Sequence, residues 1–284
     1  MRNEQEMMAA IERFAQKDNR IRLVTLEGSR TNDRKAPDRF QDYDISFFVT
    51  DMEPYKTNDH WLDSFGRRLM MQKPEDMELF PPELGNWFSY LILFEDGNKL
   101  DLTLIPLDEH EEYFANGDGL AKVLLDKDGL VREQPLPSDR HYWIQQPNAR
   151  QFDDCCNEFW MVSTYVLKGL GRNEILFAID HLNNIVRPNL LRMMAWMIGL
   201  EKGCDFSLGK NYTFIDRYLP PEDWQALLST YSLGSRDHTR QALQVCHALF
   251  RRYAKTVAAK RGYVYPDYDE AVARYAQASG LPSV

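Results

Sequence analysis

Two groups of residues near the start of the chain have the types and spacing to act together. Asp42 and Asp44 stand two apart in Asp-Tyr-Asp-Ile, at the head of an apolar run that continues to Val49. A strand sends alternate side chains to one face, so both carboxylates point the same way, about 7 Å apart at their Cα atoms. Like charges that close call for a cation between them, and oxygen-only ligands suit Mg²⁺. Upstream, the β-branched and aliphatic run Leu23 to Leu26 stops at Gly28-Ser29. Backbone N–H groups and a hydroxyl at such a turn suit a phosphate. The combination describes a site for a metal-bound nucleoside triphosphate.

A strand ending in Gly-Ser, a polar loop of about a dozen residues and Asp-x-Asp in an apolar strand resemble the DNA polymerase beta-like nucleotidyltransferases. That resemblance implies a third carboxylate on a neighbouring strand, and the chain contains one. Residues 89–94 read as a strand, 95–98 as a hairpin turn with an Asp-Gly pair, and 99–105 as the returning strand,. There Leu100, Leu102 and Leu104 alternate with Lys99, Asp101 and Thr103, so Asp101 points away from the apolar face. The competing reading makes Asp42 and Asp44 loop caps and Asp101 a solvated strand residue. Aspartate is disfavoured in strands, however, and a local-rule violation repeated three times is what a functional site looks like.

The elements that must position these groups fall into two sets. Residues 4–17 form an amphipathic helix with Met7, Met8, Ile11, Phe14 and Ala15 on one face,. Helices are expected near 59–72 and 119–127, with a broken, acid- and proline-rich loop over 73–87 between them. From Phe152 onward Phe152, Cys155, Phe159, Val162 and Val166 recur at helical spacing, and helical stretches follow to about 198, kinked near Pro188, then near 221–231 and 236–261,. The expected fold is an α/β (α+β) N-terminal nucleotidyltransferase domain with a mixed sheet over residues 1–147. An all-helical C-terminal domain spans residues 148–284.

Composition narrows the partners. The 284 residues carry a formal charge of −9 and are 44% apolar, enough for real cores,. An acidic chain without a basic stripe argues against nucleic acid and favours a cationic small molecule. The N-terminus lacks an apolar signal core and no run reaches 18 uncharged apolar residues, so neither export nor a membrane is expected. Cys155 and Cys156 are adjacent, no Cys-x-x-Cys pair occurs, and the six histidines have no metal-ligand spacing; reduced packing cysteines and a cytoplasmic protein without zinc are expected,.

Longer stretches sharpen the resemblance. EGSRTN, FQDYDISFFVTD, WFSYLILFEDGNKLDLTLIP, CCNEFWMVSTYVLKGL, DHLNNIVRPNLLRMMAW and SLGKNYTFIDRYL look like the aminoglycoside 6-adenylyltransferases, the streptomycin-modifying enzymes, and in particular their Bacillus chromosomal type. The likeness covers most of the chain apart from 232–262 and the extreme C-terminus. It implies Mg²⁺-dependent transfer of AMP from ATP to the 6-hydroxyl of streptomycin, release of pyrophosphate, and antibiotic resistance. Asp42 and Asp44 would then hold Mg²⁺ on the triphosphate, while Asp101 would be a third metal ligand or the general base. Gly28, Ser29 and Arg30, with Lys168 and Lys210 of the helical domain, would hold ATP phosphates. Glu83 and Asp180 would pair with guanidinium groups of the substrate, and Trp87 and Trp160 would stack on them, although surface or core roles compete for each. Two rivals stand beside this reading: a nucleotidyltransferase acting on another hydroxyl, and a nucleotide-binding module without catalysis.

Overall fold

Strand patterning in the first half and helical patterning in the second resolve into two units. In the computed structural model, which describes residues 2–279 and 281, these are Met1–His141 and Tyr142–Val284. Residues 142–147, read from the sequence as the tail of the first domain, pack with the second. Trp143 bridges to Ser207, and the Ile144 N–H donates to the Phe206 carbonyl at 3.2 Å.

In the first unit, helix α1 (Glu4–Lys17) starts at Asn3, which forms a capping box with Glu6,. It is followed by strands β1 (Ile21–Glu27) and β2 (Tyr43–Val49), the short helix α2 (Glu53–Thr57) and the edge strand β3 (Arg68–Gln72). The hairpin of β4 (Phe88–Phe94) and β5 (Lys99–Pro106), helix α3 (His110–Asn116) and strand β6 (Ala121–Asp126) complete it. The sheet order is β3-β4-β5-β2-β1-β6; β2 and β5 run parallel and the other neighbours antiparallel.

Period-two alternation sorts the side chains onto two faces. Tyr43, Ile45, Phe47 and Val49 of β2 and Leu100, Leu102 and Leu104 of β5 share a core with Met7 and Ile11 of α1. On the opposite face, Glu27, Asp44 and Asp101 form one row across β1, β2 and β5. Thr25, Ser46, Thr103 and Ser89 form the next row. Leu23, Phe48 and Ile105 form the third, packed with Tyr113 of α3. The acids thus occupy the end of a face whose other end is sealed by apolar packing.

Two expected helices are something else. Residues 59–72 divide into a 3-10 turn over Asp59–Phe65 and strand β3, because Gly66 at φ +130° breaks the helix and lies against Arg2, whose Nη2 a Cβ there would meet at 2.7 Å. Residues 119–127 contain β6, held by antiparallel pairing of Ala121–Asp126 with β1. A short apolar run such as AKVLLD is ambiguous by periodicity, and the open edge of β1 decides it.

The second unit comprises α4 (Ala149–Gly171), α5 (Ile175–His181), α6 (Arg187–Lys202), α7 (Pro221–Ser229), α8 (Arg236–Arg261) and α9 (Tyr268–Ala278). Asn148 caps α4 in a capping box with Gln151. Between α5 and α6 the helix continues through a π turn, Leu182–Val186, just before Pro188. A proline lacks the N–H that the ladder needs, and the wide turn absorbs the mismatch. Phe159, Trp160, Met193, Met194 and Phe250 build the core. Among the described residues no helix is long and apolar enough to cross a membrane.

Candidate active site

The acid row is set by strand register. Asp101 of β5 lies directly opposite Asp44 of β2, and Asp44 opposite Glu27 of β1, with Asp42 just before β2 begins. Four carboxylates therefore approach one another with one ammonium among them. Lys99 Nζ donates to Asp101 Oδ2 at 2.6 Å and to Asp42 Oδ2 at 3.0 Å. Burial pulls the Lys99 ammonium toward the neutral form, but its bonds to Asp101 and Asp42 outweigh that and leave its pKa raised.

Asp44 receives no hydrogen bond from any described residue. Burial, and then the charges of Asp101, Glu27 and Asp42, push its pKa up to about 6. Asp101 is raised too, chiefly by burial, with Lys99 opposing. Its Oδ2 is held by Lys99, while its Oδ1 is buried and has no hydrogen-bond partner. A buried carboxylate oxygen without a donor is costly unless something else satisfies it.

The turn after β1 stands beside these acids. Gly28 has φ +67°, and a Cβ there would meet Asp44 Oδ2 at 2.6 Å. Glycine is thus required twice, for the left-handed backbone and for the close approach. Gly28 heads a single 3-10 turn, Gly28–Thr31, with Thr31 Oγ1 donating to the Gly28 carbonyl at 2.9 Å. The Ser29 carbonyl accepts from Gln41 Nε2 at 3.2 Å, and its hydroxyl has no partner among the described residues.

Arg30 has a different place from the one read in the sequence. Its guanidinium donates to the carbonyls of Asp42 and Gln41, both at 2.8 Å, lies 3.7 Å from the centre of the Tyr43 ring and pairs with Glu4. With its side chain only 8% exposed, it ties the Gly-Ser turn to the start of β2 instead of facing a phosphate.

The donor set fits a divalent cation of the magnesium type. It consists of hard carboxylate oxygens that outnumber the local positive charge, with Asp44 unpartnered and Asp101 Oδ1 unsatisfied,. As the side chains stand, no three acidic, histidine or cysteine groups among the described residues are gathered closely enough to enclose an ion. Asp42 and Asp101 are drawn to Lys99 instead, so taking up an ion requires them to turn from the ammonium.

Glu83 is exposed on the loop before β4, apart from the acid row in the sheet register. Trp87 is half-buried and held by neighbours of its own unit. Its Nε1 donates to Glu109 Oε2 at 2.6 Å, and its ring packs 6.0 Å from that of Tyr113 in the small core under α3.

The second unit holds a cavity of about 1230 Å³. Its wall includes Asp154 and Glu158 of α4, Arg192 and Trp196 of α6, and Lys210 and Tyr212 of the following loop. Asn211 and Tyr212 there have φ of 55° and 60°, an unusual left-handed pair without glycine,. Asn184, Ile185 and Pro188, at and beside the π turn, also line it. Lys210 is therefore where a ligand could meet it. Lys168 lines a separate cavity, fourteen residues along α4 from Asp154, or about 21 Å of helix rise,; the two lysines do not converge on one triphosphate. Trp160 is 1% exposed, wedged between Phe159, His247 and Phe250, and cannot stack on a substrate. Asp180 is exposed, accepts from Asn184 Nδ2 at 2.7 Å, and does not line the large cavity.

Four residues enter that the sequence reading passed over. Lys99 was legible, since two-residue spacing puts it on the same strand face as Asp101. Glu27 joins the acids only through the β1–β2 register. Asp154 and Glu158, one helical turn apart, carried no signal that distinguished them from an ordinary solvated face.

Comparison with known proteins gives the family of the chain. The sequence profile of a family described as streptomycin adenylyltransferase matches residues 1–279. An aminoglycoside 6-adenylyltransferase of Bacillus subtilis (strain 168) is 66% identical over 277 residues, covering 98% of each chain. Another, of Campylobacter jejuni, is 54% identical over 275 residues, 97% of this chain and 95% of that one. A crystal structure of an aminoglycoside 6-adenyltransferase from Bacillus subtilis covers 98% of both chains at 61% identity, with a TM-score of 0.48.

Proposed function

The chain belongs to the streptomycin adenylyltransferase family, a family of nucleotidyltransferases, and we propose that it transfers AMP from ATP to the 6-hydroxyl of streptomycin. The observation that carries this reading is the registered Asp44–Asp101 pair beside the Gly28 turn, with one buried Asp101 oxygen unsatisfied. Asp42 and Asp44 would hold Mg²⁺. When bound, the ion offsets the charge that builds on the phosphoryl oxygens during in-line displacement of pyrophosphate.

The chain's own residues do the rest. The Ser29 hydroxyl receives a phosphate, in a turn that Gly28 shapes with its own N–H committed to the Leu120 carbonyl at 2.9 Å,. Asp101, once turned from Lys99, accepts the proton of the attacking hydroxyl,. A pKa raised by burial makes Asp101 a better base than a solvated aspartate,. In the second unit, Lys210 supplies charge for the triphosphate. Asp154 and Glu158 take the place of Asp180 as partners for guanidinium groups, and Trp196 replaces Trp160 as a ring that can flank them,. Adenylylation of the drug would confer resistance, and the net negative charge suits a cationic substrate better than a nucleic-acid end,.

The test is pyrophosphate release from ATP and Mg²⁺ with streptomycin, spectinomycin and kanamycin side by side, for the wild type and Asp42→Asn. Release with streptomycin alone, lost in the variant, is expected. Release with none of the three would overturn the substrate, and release unchanged in the variant would overturn the metal site.

A further inference from the structure

A second cavity of the helical unit, about 550 Å³, is lined by Lys168, Arg172, Arg236, Arg240 and Tyr275, with Gly171, Ser279 and Leu281 completing the wall. Four of these residues are cationic and none is acidic, in a chain with 43 acidic and 34 basic residues. The charges come from two elements far apart in sequence. Lys168 and Arg172 are one turn apart at the end of α4, and Arg236 and Arg240 one turn apart at the start of α8. Spacing of four residues places each pair on one helix face, so two basic faces converge on one hollow.

Little in the protein neutralises them. Lys168 Nζ lies 5.2 Å from the centre of the Tyr165 ring and 5.7 Å from that of Tyr275, with no carboxylate partner among the described residues. Arg172 and Arg236 likewise form no ion pair with a described residue. Arg240 is partly compensated by Asp237 at 2.8 Å, an acid that does not line the cavity. The N-terminal end of α8 adds its own positive potential, with Ser235 capping it,. Like charges held this close are unfavourable until an anion sits among them. Arginine pairs recognise phosphoryl oxygens in fixed fork geometry, and lysine adds a point charge.

We propose that this cavity binds a compact polyphosphate: a phosphoanhydride chain of two or three phosphoryl groups, free or as the tail of a nucleotide. A single phosphate would engage only one of the two basic faces, whereas a chain of two or more can meet both. The cavity shares no lining residue with the one that holds Lys210, and the inference does not rest on the adenylyl-transfer reading.

Calorimetric titration of the full chain in EDTA with pyrophosphate, tripolyphosphate, ATP and adenosine tests it. Wild type is expected to bind pyrophosphate and tripolyphosphate saturably and adenosine not at all. In a Lys210→Gln background, which removes the cation assigned to the triphosphate in the other cavity, Arg236→Gln with Arg240→Gln should weaken that binding at least tenfold and Arg236→Lys with Arg240→Lys should retain most of it. ATP binding tighter than tripolyphosphate would identify a nucleotide tail, and equal binding a free polyphosphate. Unaltered affinity in the double glutamine variant, or no binding in the Lys210→Gln background, would each overturn the proposal. Both arginines lie at the surface, and an unchanged unfolding temperature of the variants verifies that a loss is local.

Discussion

Asp44 shows how neighbours make a residue's chemistry. Its folded-state pKa, about 6, lies above the ordinary 3.8, so its contribution to stability is fully present below pH 4 and is lost as pH rises through 6. Asp44→Asn removes that penalty. Without Mg²⁺, the variant should unfold later than wild type at pH 8, by about 1–3 kcal/mol, and together with it at pH 4, while losing pyrophosphate release. A variant less stable than wild type at pH 8 would contradict this account. Gly28 is the structural counterpart. Gly28→Ala places a Cβ 2.6 Å from Asp44 Oδ2 on a left-handed backbone and should cost about 1–2 kcal/mol. It should lower kcat more than tenfold, with the loss visible in steady-state kinetics. Lys99→Met leaves Asp42 and Asp101 without their shared ammonium. We expect the unfolding temperature to drop in EDTA and to recover with Mg²⁺ more than that of wild type does.

At the scale of elements, the loop between β1 and β2 is the part that joins phosphate turn to acid row, and Arg30 is its tie. Arg30→Ala frees the carbonyls of Gln41 and Asp42 and uncovers Tyr43. It should reduce kcat and unfolding temperature while leaving KM for ATP within about twofold; a rise in KM alone would return Arg30 to the phosphates. The same scale explains which elements could be read from the chain. Strands β2, β4 and β5 announce themselves because each alternates with one face fully apolar. Strands β3 and β6 do not: Met70 is exposed at the sheet edge, and the LAKVLLD run fits a helix until β1 offers it a partner. The long helices α4 and α8 were legible from period alone, because a helix satisfies its own backbone.

Over the whole molecule, the two units should answer acid in opposite ways. His247 is buried in the second unit against Phe159 and Trp160, with Nε2 on Ser163 Oγ at 2.9 Å. Burial, and then the Arg251 charge, bring its pKa down to about 3. The stability it supports is full above pH 6.5 and is lost as pH falls toward 3, by about 1.4 kcal/mol per unit. Asp44 in the first unit has the reverse dependence from pH 6 down to 4. Scanning calorimetry between pH 6.5 and 4 should therefore show the transition of the second unit falling faster than that of the first, and His247→Leu should flatten it. Parallel movement of both transitions in wild type and variant would refute this assignment.

What the sequence determined by itself was everything that depends on local period and local chemistry. Asp42 and Asp44 two apart at the head of an apolar strand, Asp101 out of phase with three leucines, a glycine at the turn, and helical spacing after Phe152 all follow from the chain's own geometry. Only the tertiary structure decided what depends on partners distant in sequence. Strand register placed Glu27 with the acids. The loop path turned Arg30 inward, and helix packing buried Trp160. The ends of α4 sent Asp154 and Lys168 to different cavities. Hydrogen-bond register and side-chain packing are set between elements, and no periodicity within one element carries that information.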